Sequence, residues 1–347
     1  MFGLLVGEFG LRWIEPPPPT QASRFGLHQL RLDRPWLYGL RPGASGYMKE
    51  RKEILYRINS AGFRDRERTH AKASGVYRIM VLGDSVTFGI GVEASEPFTR
   101  VLETTLAERA ADASVEVLNF GVGGYNPYIE AELLKDIGRS YEPDLVIVQF
   151  CINDFEDPTN HFDAHTKLRL GSIPDAAYPD PSRRRAPFEE GYLPASCWAS
   201  RICSRVEQAL RRTLGRRIAP SEVADRNAST RGVRWRWLGE RYAEIEAASA
   251  TMGASFAVLV VPHRSELSAG SVSGVHRGVV EMARQRGWLL VDPLEAFMRA
   301  HRTGVAVFFD EWHPTVEGHR LLAQELLAEL SCNGPLPESA KRLCEKE

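Results

Sequence analysis

The sequence predicts an α/β fold built on a doubly wound, mostly parallel sheet of five strands with helices on both faces. Three observations carry that expectation. Short β-branched apolar runs recur from residue 78 onward, stretches of helical periodicity separate most of them, and the runs are continuously apolar instead of alternating. Strands that are apolar on both faces belong to a parallel sheet covered by helices on each side.

The first strand is RIMVLG at 78–83, stopped by Asp84 and Ser85, and FTRVLETTLAERA follows as a helix. The second strand is VEVLNF at 115–120, with IEAELLKDIGRSY as its helix, and the third is DLVIVQFC at 144–151. WRWLGERYAEIEAASATMG leads into the fourth strand, SFAVLVVP at 255–262, and VHRGVVEMARQRG into the fifth, WLLVDP at 288–293. These elements define a main domain over residues 75–330, followed by a C-terminal tail over 331–347. Residues 1–74 read as an N-terminal arm: PPPP at 16–19 is stiff polyproline, and the turn glycines and short alternating runs at 39–67 predict hairpins and no core.

The connection between the third and fourth strands is too long for a simple crossover. It reads as an insertion over about 155–240, and residues 160–240 carry 15 Lys/Arg against nine Asp/Glu in a chain of net charge −1. Arginine runs at 183–185, 211–212 and 216–217 read first as a solvated surface, and second as a lid or platform that draws anionic substrate or a membrane surface.

Composition bounds the function. Hydrophobic residues at 43% and charged residues at 26% describe an ordinary globular protein, and the near-neutral balance argues against a nucleic-acid partner. No run reaches the roughly 18 apolar residues of a membrane span. The apolar run MFGLLVG before Glu8 is compatible with an extracytoplasmic or membrane-associated protein but forms no complete signal, so location and oligomeric state stay open. Five cysteines show no zinc-ligand spacing, so no metal is expected. Two local disulfides, Cys197–Cys203 and Cys332–Cys344, with Cys151 a buried thiol, and five free thiols are equally compatible with the pattern.

In an open α/β sheet, ligands bind outside the carboxyl ends of the strands. Here those ends read GDS at 83–85, NFGVGGYN at 119–126 and CIND at 151–154, and FFDEWHPTVEGH at 308–319 precedes the last helix. Each has a plain structural reading: a turn, a tight glycine loop, a helix cap at Asn153, a core histidine at His313. Together they supply the parts of acyl transfer. A serine hydroxyl needs a base, a histidine base needs a carboxylate to fix its tautomer, and the oxyanion needs preformed donors. Ser85, His313, Asp310 three residues before it, and the Ser85 and glycine N–H groups with the Asn153 amide fill those roles.

This set, in this order, resembles the SGNH hydrolases, also called the GDSL esterase/lipase family. GDS matches the first block, Gly124 falls at the glycine of the second, CIND matches the third with Asn153, and DEWH matches the last with Asp310 and His313. The resemblance implies a flavodoxin-like SGNH-hydrolase fold, Ser85 as nucleophile, His313 as base, Asp310 as its orienter, and Ser85, Gly124 and Asn153 as oxyanion-hole donors. It further implies an esterase that cleaves carboxylic esters, with short-chain or acetyl groups expected, through an acyl-enzyme and without a cofactor. Cys151 stands where the third block usually has glycine. NSAGFRDRE at 59–67 is similar to a segment upstream of the GDS block in larger bacterial members, some of them membrane-anchored.

The expected partner is a small-molecule or glycan ester, with membrane-surface association a further option. The rival functions are an O-acyltransferase that uses the same triad on glycans and a noncatalytic binding module of the same fold. GVGGYN does not complete GxGxxG, which argues against a dinucleotide site. His161, His165, Asp157 and Asp163 read as a solvated loop, His263 as the rim of the site or a loop start, and Trp235 and Trp237 as helix packing.

Overall fold

The computed structural model describes residues 27–49, 52–110, 114–156, 158, 174–179 and 228–344. PPPP, the arginine runs, the His161 group with Asp157, and Cys197 and Cys203 lie outside the described residues.

Five strands form one sheet: β5 (Val76–Gly83), β6 (Ser114–Gly121), β7 (Leu145–Phe150), β8 (Ser255–Val260) and β9 (Leu289–Val291). Their order is β6-β5-β7-β8-β9, and every pairing is parallel. This is the doubly wound arrangement expected from the apolar runs. The strand order reverses beside β5, the switch point at which such sheets open a crevice.

Alternate side chains of each strand serve opposite faces. Met80, Leu82, Leu118, Phe120, Val146, Val148, Val258 and Val260 join one core. It is closed by α3 (Pro127–Ile137), α4 (Ala228–Thr251) and α6 (Gly274–Arg286). Ile79, Val81, Val117, Leu145, Ile147, Ala257 and Leu259 join the other, closed by α2 (Phe98–Arg109), α7 (Leu294–Arg302) and α8 (Val316–Cys332). Trp235 packs edge-on to Phe155, and Trp237 is buried with its Nε1 donating to Ala176 O, so both serve packing.

Two antiparallel hairpins precede the sheet: β1 (His28–Leu30) with β2 (Tyr38–Leu40), and β3 (Ser45–Lys49) with β4 (Glu53–Arg57). The hairpins are where the local pattern points, but they are not a coreless arm. Leu27, Tyr38, Leu40, Ile54 and Tyr56 are buried in the same core as Phe88, Phe120 and Tyr125. The sequence concealed this because three- and five-residue strands present too few apolar positions to reveal which face is covered. The tail also packs: α9 (Glu338–Lys341) is tied to the end of α8 by a Cys332–Cys344 disulfide, while Cys151 is a buried free thiol.

Candidate active site

The break after β5 has a packing cause. A Cβ on Gly83 would sit 2.3 Å from Thr87 Oγ1 and 2.6 Å from Gln149 Oε1, so only glycine lets the chain turn here against β7. Asp84 then caps the one-turn helix α1 (Ser85–Phe88), its Oδ1 accepting from Val86 N at 2.9 Å. Ser85 is therefore the first helical residue, just past the carboxyl end of β5. Behind it, the buried Arg64 guanidinium donates to the carbonyls of Phe88, Gly89 and Val92 and lies over the Tyr56 ring at 4.2 Å. Burial lowers the Arg64 pKa to about 10.

The loop between α7 and α8 brings the histidine. An isolated bridge between Phe308 and Pro314 closes it, and Phe309 N donates to His313 O at 3.1 Å. Within it, Asp310 Oδ1 accepts the backbone N–H groups of Trp312 and His313 at 2.8 and 2.7 Å. That turn leaves Asp310 Oδ2 facing His313 Nδ1 at 2.7 Å, and His313 Nε2 lies 2.9 Å from Ser85 Oγ. Burial pushes the Asp310 carboxyl up, but the hydrogen bonds and charge of His313 outweigh it and hold the carboxyl below its ordinary value. A carboxylate on Nδ1 favours the tautomer that leaves Nε2 free to accept a hydrogen bond from the Ser85 hydroxyl.

Asn153 lies in a short 3₁₀ turn, Ile152–Phe155, whose cap is Cys151, so Asn153 does not cap a helix. Its Nδ2 donates to Asp84 Oδ2 at 2.7 Å, which leaves the second amide hydrogen for another acceptor. Gly124 adopts φ 82°, a left-handed conformation that favours glycine, and Asn126 caps α3 by accepting from Ile129 N.

Beneath these residues lie three fully buried carboxyls, Asp84, Glu130 and Asp154. Burial raises all three; the charge of Asp84 adds to the rise at Glu130, and the charges of Glu130 and Asp84 add to it at Asp154. Asp84 is the one held by the donors Val86 N and Asn153 Nδ2, whereas neither Glu130 oxygen has a hydrogen-bond partner among the described residues. Asp84 thus has hydrogen bonds that favour its ionised form against burial, whereas at Glu130 burial and the charge of Asp84 act in the same, upward direction.

His263 caps α5 (Arg264–Ala269) and meets the Trp312 ring edge-on at 4.7 Å, which places it at the rim. Burial lowers its pKa. Among the described residues no group of three or more His, Cys, Asp or Glu is arranged to hold a metal ion. Arg64, Tyr38 and His28 also reach the site, and no motif points to them beyond the NSAGFRDRE resemblance around Arg64.

The sequence profile of the GDSL-like Lipase/Acylhydrolase family matches residues 81–321. A comparison with curated protein sequences finds no match. Among solved structures, the chain is similar to an alpha/beta hydrolase from the metagenome of Lake Arreo, Spain, at 17% identity and a TM-score of 0.44, covering 76% of this chain and 99% of that one. An acetylxylan esterase from Geobacillus stearothermophilus aligns at 15% identity and a TM-score of 0.42, covering 73% and 94%. A member of the lipolytic G-D-S-L family from Veillonella parvula aligns at 14% and 0.41, covering 72% and 96%.

Proposed function

The chain belongs to the GDSL-like lipase/acylhydrolase family, whose members hydrolyse esters, and from that premise we propose that it is a serine esterase acting through an acyl-enzyme on Ser85. The observation that carries the reading is the unbroken chain from Ser85 Oγ to His313 Nε2 at 2.9 Å and from His313 Nδ1 to Asp310 Oδ2 at 2.7 Å.

In this reading Ser85 Oγ attacks the ester carbonyl as its proton passes to His313 Nε2, and Asp310 stabilises the imidazolium. The Ser85 and Gly124 N–H groups and the second N–H of Asn153 receive the oxyanion. His313 then protonates the leaving alcohol. Water enters, gives its proton to His313, attacks the acyl carbon and releases the acid with Ser85 restored. None of these steps calls for a cofactor.

The substrate is proposed to be a small-molecule or glycan ester with a short, acetyl-sized acyl group, as the resemblance to the family leads one to expect. No helix among the described residues is long and apolar enough to cross a membrane. The Cys332–Cys344 bridge supports an oxidising, extracytoplasmic compartment.

A series of p-nitrophenyl esters of increasing chain length, run beside acetylated oligosaccharides, tests the reading. The expected result is Ser85-dependent release of short acids with activity falling along the series. Preference for long chains would overturn the short-acyl proposal, and turnover unaffected by Ser85→Ala would overturn the esterase reading.

A further inference from the structure

Arg64 lies upstream of the family-matched segment, yet its side chain is buried against the turn that follows Ser85. Its Nη1 donates to Phe88 O at 3.1 Å and to Gly89 O, and its Nη2 donates to Val92 O at 2.6 Å. The guanidinium is braced from the β3–β4 hairpin. It lies over the Tyr56 ring at 4.2 Å, that ring stacks on Phe88 at 5.4 Å, and the Tyr56 hydroxyl accepts the Gly91 N–H at 2.8 Å. The turn is shaped to receive it: Gly89 closes α1 at φ 82°, and a Cβ there would stand 2.7 Å from Pro97 Cγ and 3.1 Å from Arg64 Nη1.

Two of the gripped carbonyls share their peptides with the N–H groups that hold Ser85. Ser85 O accepts from Gly89 N and from Ile90 N, each at 3.1 Å. Phe88 O and the Gly89 N–H belong to one peptide, Gly89 O and the Ile90 N–H to the next, and both are trans. In a planar trans unit the C=O and N–H point in opposite directions, so an anchor on each oxygen fixes the bearing of each hydrogen. A single turn such as α1 has too few internal hydrogen bonds to hold its own geometry. Its rigidity comes from outside. We infer that Arg64 is a positioning residue for Ser85: by fixing the Phe88 and Gly89 carbonyls it directs two N–H groups onto Ser85 O, and so keeps Ser85 Oγ in register with His313 Nε2.

The inference rests on the esterase reading. The test uses the full chain and p-nitrophenyl acetate, with two variants. Arg64→Met keeps most of the volume without donors, and Arg64→Lys keeps the charge but has one nitrogen where two serve separate carbonyls. Diethyl p-nitrophenyl phosphate labels Ser85, and the plateau of labelling counts competent sites. Per labelled site, kcat of Arg64→Met is expected to fall about 10- to 100-fold with KM within about threefold, and labelling should approach its plateau more slowly. Arg64→Lys should lose at least about threefold in kcat per labelled site, and it carries the test alone if Arg64→Met does not fold. A merely structural arginine would lower the plateau and the melting temperature but leave kcat per labelled site unchanged. That result overturns the inference, as does a loss seen mainly in KM. A wild-type chain that neither turns over ester nor labels at Ser85 removes the esterase reading and this inference with it, whereas an active wild type with variants unaffected per labelled site removes the inference alone.

Discussion

Asn153 Nδ2 donates to Asp84 Oδ2 at 2.7 Å, which ties the residue just before Ser85 to the turn at the end of β7. An amide held by one hydrogen presents the other in a set direction. Asn153→Ala is therefore expected to lower kcat by about 10²–10³ while the melting temperature changes little, as for a donor that acts when charge develops. Wild-type turnover with a lowered melting point would mean that the residue is structural.

Asp84 has two duties that one substitution can separate. Asp84→Ser keeps an oxygen able to cap Val86 N but loses the partner of Asn153. Its kcat is expected to fall about tenfold or more, and Asp84→Ser combined with Asn153→Ala should be no worse than Asn153→Ala alone. Additive losses in the double-mutant cycle would mean that Asp84 does not act through Asn153.

Ser85→Ala should abolish burst-phase release of p-nitrophenol and leave only residual turnover, with ground-state binding retained. Mass spectrometry of the wild type during turnover of a slow ester should find the acyl group on the peptide that contains Ser85. An acyl adduct elsewhere contradicts the assignment.

Stability is expected to fall in alkaline solution through His276. Buried in α6, it lies 2.9 Å from Asp292 Oδ1 and 3.5 Å from Glu266 Oε2. Burial alone would lower its pKa, but the hydrogen bonds and charges of Asp292 and Glu266 raise it to about 9. A folded value above the unfolded 6.5 means that the contribution is complete below about pH 6.5 and is lost as pH rises through about 9. Its size is on the order of 3 kcal/mol. Denaturant unfolding between pH 6 and 10 should show this loss in the wild type and a flatter profile in His276→Gln.

The disulfide supplies a second check on stability. The half-cystines are 12 residues apart, and closing a loop of that length restricts the unfolded chain by about 3 kcal/mol. Nonreducing peptide mapping should recover Cys332 joined to Cys344, and reduction should lower the melting temperature. A free Cys332 in the mature protein would also remove the support for an oxidising compartment.

Much of the fold was legible in the sequence because the five sheet strands are continuously apolar and sit between helical repeats, a pattern compatible with few layouts. Asp310 and His313 were legible as partners because three residues of one turn separate them, and a local hydrogen-bonded turn aligns them. Gly83 was legible as a break but not as a close approach, since the atoms it avoids, Thr87 Oγ1 and Gln149 Oε1, come from α1 and β7.

What the sequence determined by itself was therefore the local chemistry: which side chains end the strands, and which short spacings can cooperate. Only the tertiary structure decided the long-range relations. Ser85 and His313 are 228 residues apart in the chain, and they meet because β5 and the loop before α8 open at the same end of the sheet. The same holds for His28 beside Gly123 and for Arg64 on the carbonyls after Ser85. Packing of the hairpins against the sheet core sets these contacts, and a run of three to five strand residues carries no record of the surface it will cover.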